Sequence, residues 1–236
     1  MTPVLVFLHD ALGSVEQWKQ FPEKLAHACA YNAVIIERQG HGKSSPFTEK
    51  RKTDYLHREA YEVLPQLLEK LHIKNPILIG HSDGASIALL YASKFEVKAV
   101  VSIAAHVFVE QITHEGIRAS MEQKIFLKLK LSKYHAEKTD ALIHAWADTW
   151  LSGEFADFNI EKELTNITAP TLVIQSEDDN HGTLRQVDSI FEHIQSTYKQ
   201  QFIPKTGGHM LHLSIPDELV GEIGQFLNEK IKKHNQ

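Results

Sequence analysis

Short unbroken apolar runs alternate along the chain with longer segments whose apolar residues recur every three or four positions. Such runs, bounded by turn residues, are typical of strands buried on both faces of a sheet. Strands that alternate with helical segments pair in parallel through right-handed crossovers, so the pattern predicts an α/β fold with helices on both faces. The predicted strands are Val4–Leu8, Val34–Ile36, Ile77–Ile79, Val97–Ile103, Thr171–Gln175 and Gln201–Ile203.

The helical segments carry their own boundary signals. Ser14 is a candidate N-cap for a helix from Val15 towards Ala30, and Pro65 should kink a helix over residues 54–72. Pro216 suits the first turn of the last helix. Lysines near the end of that helix should complement its dipole, namely Lys230, Lys232 and Lys233. The inward face of the first helix is predicted to comprise Trp18, Phe21, Leu25 and Ala28.

The alternation stops after Ala105. The next convincing strand begins about 65 residues later, whereas a crossover needs only about a dozen. Residues 106–166 therefore form a predicted insertion, mainly helical and rich in aromatic residues. Residues 127–131 could alternate as a strand, but a helix is favoured. We expect a core of residues 1–105 and 167–236, with residues 106–166 as a helical cap.

Composition narrows the functional classes. The 236 residues, 42% of them hydrophobic, suit one large domain, and a net charge of −5 gives no reason to expect nucleic acid or an anionic membrane as partner. Cys29 is the single cysteine, so no internal disulfide can form. The N-terminal apolar run is too short for a signal peptide and no window suits a membrane span, which predicts a cytoplasmic protein.

The chemistry-bearing motif is Gly-His-Ser-Asp-Gly at residues 80–84. It follows a predicted buried strand and precedes a segment rich in alanine and leucine, which favours a helix. A serine at a sharp strand-to-helix turn is presented at the end of the sheet, and glycines on either side avoid collisions with the neighbouring strand and helix. Ser82 is therefore a candidate nucleophile.

With this strand, turn and helix, the chain resembles the α/β-hydrolase family, in its serine hydrolase branch with a helical cap. The resemblance implies a carboxylate after the fifth predicted strand and a histidine after the last. Ser176 takes the place of the usual glycine, which puts Asp179 in the acid position, with Glu177 and Asp178 as competitors. Gly207-Gly208-His209 resembles the family's Gly-His, so His209 is the expected base and His212 its rival.

The resemblance also implies two backbone N–H donors for the oxyanion, from Ala11 and Asp83. The family has His-Gly-x after the first strand, and Asp10 replaces that glycine here, which could narrow the pocket or bring a negative charge to it. The Asp83 side chain could stabilise the N-terminus of its helix or contact substrate. Several histidines could approach the same site, but none has metal-ligand spacing, and no metal or cofactor is expected.

We therefore expect a carboxylesterase-like serine hydrolase that cleaves a small carboxylic ester or related acyl substrate. A hydrolase of carbon–carbon bonds in β-diketone-type substrates and a slow-turnover ligand sensor that retains the triad are the alternatives. The resemblance implies two further strands before the first one, which we do not expect here, so Val34–Ile36 is predicted to be an edge strand. An apolar edge invites pairing, so the protein should be a monomer with a shielded edge or, less favoured, a homodimer.

Overall fold

Six strands form one sheet in the computed structural model, which describes residues 3–229. The order is β2-β1-β3-β4-β5-β6 and every neighbouring pair is parallel, which confirms the predicted topology. The strands are β1 (Val4–Leu8), β2 (Asn32–Ile36), β3 (Ile77–His81), β4 (Ala99–Ile103), β5 (Thr171–Ile174) and β6 (Lys199–Phe202). β6 begins at Lys199 rather than Gln201, because an edge strand can pair through its backbone without burying apolar side chains.

Helices cover both faces of this sheet. They are α1 (Phe21–Cys29), α2 (Tyr55–Arg58), α3 (Leu64–Lys70), α4 (Asp83–Ala92), α5 (Gln111–Glu122), α6 (Lys124–His135), α7 (Thr139–Trp150), α8 (Glu161–Leu164), α9 (Arg185–His193), α10 (Leu211–Ser214) and α11 (Pro216–Leu227). Alternate strand residues point to opposite faces, so Leu5 and Phe7 join a core with α1 and α11, while Val6 and Leu8 join a core with α3 and α4.

The first predicted helix is divided, which corrects the sequence-based expectation. A 3-10 helix over Val15–Trp18 ends at Lys19, whose φ of 54° breaks the helix before α1 begins. Ser14 makes no capping hydrogen bond; the Val15 N–H donates instead to Glu37 Oε1 at 2.8 Å. Because the break changes the helical phase, Ala28 is exposed and Cys29 is buried in its place.

The helix expected over residues 54–72 is divided as well. A π-helical turn over Glu59–Val63 separates α2 from α3, and Pro65 lies in the first turn of α3. Proline has no N–H to donate, and the first turn of a helix is where that absence costs nothing. In contrast, residues 127–131 lie within α6, which confirms the helical interpretation of their alternating pattern.

The segment between β4 and β5 holds α5, α6, α7 and α8. An isolated antiparallel bridge between Phe108 and Asn159 joins the two ends of this segment. The division of the chain into a core and a cap stays a prediction. The three lysines predicted to follow the last helix lie outside the described residues. Among the described helices, each is too short or too polar to cross a membrane.

Candidate active site

Ser82 lies at a strained turn between β3 and α4. Its φ of 53° and ψ of −120° are unusual for a residue with a side chain and are tolerated only where the surroundings enforce them. A Cβ on Gly80 would come within 2.2 Å of the Gly84 carbonyl oxygen, and a Cβ on Gly84 within 2.0 Å of the Leu8 carbonyl oxygen. Both positions therefore require glycine, and the turn presents the Ser82 hydroxyl at the carboxyl end of the sheet.

His209 and Asp179 complete a hydrogen-bonded line with this serine. His209 Nε2 lies 3.0 Å from Ser82 Oγ, and His209 Nδ1 lies 2.9 Å from Asp179 Oδ2. Asp179 Oδ1 also accepts the backbone N–H of His181 at 2.8 Å. The structure thus brings together the three residues predicted as catalytic, although they are far apart in the sequence.

Asp179 and His209 strongly shift each other's pKa. Burial acts to raise the pKa of Asp179, but His209 and the hydrogen bonds outweigh it and lower that pKa to about 2. Burial acts to lower the pKa of His209, but the Asp179 carboxylate outweighs it and raises that pKa above its ordinary value. Burial lowers the pKa of His106 to about 3 and of His181 to about 4, so these two neighbouring rings are neutral at neutral pH.

The competing candidates for the acid and the base lie outside this hydrogen-bonded line. Asp178 is exposed and its carboxylate accepts the N–H groups of Gly208 at 2.8 Å and Gly207 at 3.3 Å. It therefore holds the glycine loop that precedes His209. His212 is buried against Trp18, with ring centroids 4.6 Å apart. Glu177 is exposed and donates its backbone N–H to the Pro204 carbonyl oxygen.

Buried polar side chains anchor the loop after β1. Arg38 donates to the carbonyl oxygen of Asp10 at 2.7 Å, and His41 Nε2 lies 3.1 Å from the Ala11 carbonyl oxygen. Among residues 3–229, neither the Ala11 N–H nor the Asp83 N–H donates to another protein group. Both predicted oxyanion donors thus stay available: the loop after β1 is anchored through the carbonyl groups of Asp10 and Ala11, and Asp83 is the first residue of α4.

Asp83 is almost fully buried and its carboxylate is directed to protein partners. Tyr55 donates its hydroxyl to Asp83 Oδ2 at 2.7 Å and accepts the Trp150 Nε1–H at 2.9 Å. Arg38 Nη1 lies 3.6 Å from the same carboxylate oxygen. The side chain therefore links the serine turn to α2 and α7, whereas the sequence suggested helix-end stabilisation or substrate contact.

The sequence pattern did not reveal which residues support the site. Arg38 and Tyr55 lie in or next to loops that carry no recognisable motif, and His41 and His81 were expected only among the histidines that could approach the site, without a supporting role. The available signal was that two of them, Arg38 and His41, follow the second strand at the same end of the sheet as Ser82.

A cavity of about 720 Å³ opens over Ser82 and His209. Its apolar wall comes largely from the insertion, with Ile117, Trp146 and Trp150 from α5 and α7. Asp10 also lines the cavity, with its Oδ1 3.8 Å from His81 Nδ1. Within the described residues, no group of three or more histidine, cysteine, aspartate or glutamate side chains could hold a metal ion.

Residues 5–222 match the model of the alpha/beta hydrolase family. The chain belongs to this family. A human relative, serine hydrolase BPHL, is 26% identical in an alignment 230 residues long that covers 91% of this chain and 75% of the relative. Among the zebrafish proteins, the sn-1-specific diacylglycerol lipase ABHD11 is 33% identical over 88 residues, 37% of this chain and 26% of that protein.

Solved structures show the same fold. A bromoperoxidase from Bacillus anthracis superposes with a TM-score of 0.76 at 20% identity, covering 97% of this chain and 92% of its own. A monoacylglycerol lipase from Paleococcus ferrophilus gives a TM-score of 0.70 at 16% identity, covering 97% and 96%. At these identities the structures establish the fold alone, while the family and its serine hydrolase relatives support a hydrolase.

Proposed function

We propose that this protein is a serine hydrolase that cleaves a small carboxylic ester or related acyl compound. The observation that carries the proposal is the continuous line from Ser82 Oγ through the His209 ring to the Asp179 carboxylate, with heavy-atom distances of 3.0 and 2.9 Å. A serine hydroxyl becomes an effective nucleophile only when a positioned base accepts its proton. The family and the serine hydrolase relatives support a hydrolase.

In the acylation step, Ser82 Oγ attacks the carbonyl carbon while His209 Nε2 accepts the hydroxyl proton. Asp179 accepts the Nδ1–H of His209, which selects the tautomer with a free Nε2 and stabilises the imidazolium that forms. The imidazolium then gives its proton to the leaving alcohol, and the acyl group stays on Ser82 as an ester. Water, with His209 again as base, releases the acid.

The negative charge that develops on the substrate's carbonyl oxygen must be stabilised by hydrogen-bond donors that are already in place. The Ala11 and Asp83 N–H groups are proposed to supply them, since both are free of protein acceptors among residues 3–229. The Asp83 N–H lies at the N-terminus of α4, where the helix dipole favours negative charge. Removal of one such donor typically costs about 100- to 1000-fold in kcat.

We further propose that residues 106–166 act as a cap that shapes the substrate pocket. Support comes from the wall of the cavity that Ser82 also lines, to which α5, α6 and α7 of this segment contribute side chains. A cap of this kind selects substrates by shape and can gate their entry.

The proposal is tested by covalent labelling with a fluorophosphonate probe. Wild-type protein should be labelled and Ser82→Ala should not. Both should unfold at similar temperatures, because among residues 3–229 the Ser82 hydroxyl has a hydrogen bond only with His209. Ser120→Ala is the matched control, because Ser120 lines the same cavity and should remain dispensable. Labelling that persists in Ser82→Ala would place the nucleophile elsewhere. An ester chain-length panel, followed for many turnovers, then distinguishes an enzyme from a ligand sensor.

A further inference from the structure

The outer part of the cavity differs in charge from the part beside Ser82. Three lysines line it, Lys19 from the segment after β1 and both Lys130 and Lys133 from α6. All three are exposed to solvent. They come from two segments that are distant in the sequence, so this basic rim, Lys19 with Lys130 and Lys133, is a product of the fold.

These lysines have no carboxylate partner among residues 3–229, in contrast to their neighbours. Lys124 and Lys128, also on α6, both form ion pairs with Asp140. For Lys19, Lys130 and Lys133 no carboxylate lies within 4.0 Å. The positive charge of the rim is therefore left uncompensated by the described part of the protein.

The acidic residues of the cavity do not offset this charge. The Asp83 carboxylate is nearly fully buried and already binds Tyr55 and Arg38. Asp10 lies at the inner end, where its carboxylate accepts the Leu12 N–H at 3.4 Å and faces His81. Within the described residues, the cavity thus has acids with protein partners at its inner end and ammonium groups without a carboxylate partner at its outer end.

Tyr134 brings two of the ammonium groups together. Lys19 Nζ donates to the Tyr134 hydroxyl at 2.9 Å, while Lys133 Nζ lies 4.8 Å from the centre of the same ring. The hydrogen bond from Lys19 lowers the pKa of Tyr134. Lys19 is also held at a φ of 54°, a conformation that lysine adopts only at a cost. Like charges held close together repel, and an anion between them relieves the repulsion.

We propose that the basic rim binds an anionic group, a carboxylate or phosphate, at the end of the substrate remote from the scissile carbonyl. This inference rests on the proposed esterase function and specifies its substrate class. A cleft lined by one sign of charge concentrates ligands of the opposite sign, and lysine ammonium groups act as point charges that accept either anion. Neutral esters of the same length should be poorer substrates.

Three esters with the same seven-carbon acyl chain test this preference. They are the mono-4-nitrophenyl ester of pimelic acid, 4-nitrophenyl heptanoate and 4-nitrophenyl 7-aminoheptanoate, which are anionic, neutral and cationic. Wild-type kcat/KM should decrease in that order, with the anionic ester about tenfold better than the neutral one, a range expected for two or three exposed charge pairs. Added salt should reduce the difference because it screens exposed charges.

The double variant Lys130→Gln/Lys133→Gln tests whether these two lysines cause the preference for the anionic ester. It should lose about tenfold in kcat/KM for the anionic ester, mainly through KM, and keep its activity on the heptanoate ester. Lys70→Gln/Lys74→Gln removes the same charge outside the cavity, from two exposed lysines, and should leave the anionic preference unchanged. Pimelate and hexyl phosphate, as inhibitors of heptanoate hydrolysis, distinguish a carboxylate from a phosphate as the preferred anion.

Two results would overturn the inference while leaving the esterase intact. One is equal wild-type activity on the anionic and neutral esters with no inhibition by either anion. The other is an equal loss on both esters in the lysine variant. Failure of the proposed function itself looks different, since none of the three esters would then be hydrolysed and Ser82 would not be labelled by the phosphonate.

Discussion

His81 Nε2 lies 2.8 Å from the backbone carbonyl oxygen of His209. A ring nitrogen facing a carbonyl must carry the hydrogen, so the residue before the candidate nucleophile donates to the backbone of the candidate base. His81 is fully buried. The hydrogen bond therefore fixes the loop after β6 against the end of β3 and sets where the His209 ring can lie relative to Ser82.

We expect His81→Phe to lower kcat with little change in KM, because the His209 loop loses its anchor and the ring loses its alignment. An unsatisfied carbonyl should also reduce the free energy of unfolding by about 1–3 kcal/mol. His81→Gln, which keeps a donor, should recover part of both losses. Steady-state kinetics and urea denaturation measure the two effects, and a Phe variant with unchanged kcat would show that His209 is aligned without this bond.

Asp179→Asn should reduce kcat by about 10,000-fold, as loss of the orienting carboxylate does in serine proteases. Asp178→Asn should cost only a few-fold, because Asp178 is exposed and asparagine keeps one oxygen for the Gly208 N–H. Kinetics on one ester for both variants provide the comparison. The opposite ranking would assign the acid to Asp178.

The pH profile of kcat/KM should have an acidic limb above pH 6.5. His209 must be neutral to accept the Ser82 proton, and the adjacent carboxylate raises its pKa above the ordinary value of 6.5. Activity is therefore lost as the pH falls through that raised pKa. Asp178→Asn should leave the limb where it is, whereas Asp179→Asn should move it to lower pH. A wild-type limb below 6.5 would contradict the coupling between His209 and Asp179.

Tyr55→Phe should lower the free energy of unfolding by about 2 kcal/mol, because the hydroxyl serves both the Asp83 carboxylate and the Trp150 indole, and bonds to charged groups are among the stronger ones. Tyr91→Phe is the matched control, since Tyr91 is buried on α4 without a side-chain hydrogen bond to the rest of residues 3–229. It should change stability by less than about 0.5 kcal/mol. Equal effects in urea denaturation would make the Tyr55 bridge energetically unimportant.

The protein should be a monomer in solution, with the β2 edge shielded. β2 is short, its first two residues are exposed, and Ile35 is half-buried against the core beside Phe7. Ala33→Lys is a better probe than a change at Ile35, because Ala33 is exposed and its replacement should leave the core intact. Light scattering should give a monomer mass for both proteins. A wild-type dimer that Ala33→Lys dissociates would establish an edge-to-edge interface.

The sequence by itself determined the sheet, because short apolar runs between helical segments admit few parallel arrangements. It also indicated Ser82 through a turn that requires Gly80 and Gly84, and the resemblance to the α/β-hydrolase family implied Asp179 and His209 after later strands. It could not place the breaks at Lys19 and at the π-helical turn, since these depend on local backbone strain that apolar spacing does not record.

Only the tertiary structure decided which polar side chains meet. The roles of Arg38, Tyr55 and His81 depend on partners in other helices, strands and loops. Hydrogen bonds between residues that are distant in the chain produce no periodic pattern in a single sequence. The sequence placed Asp179 in the acid position with Asp178 as a competitor, and only the loop conformation separates the two: the Asp179 carboxylate faces His209, and the Asp178 carboxylate faces the N–H groups of Gly207 and Gly208. Adjacent residues in a loop point in different directions, and packing against the rest of the chain sets those directions.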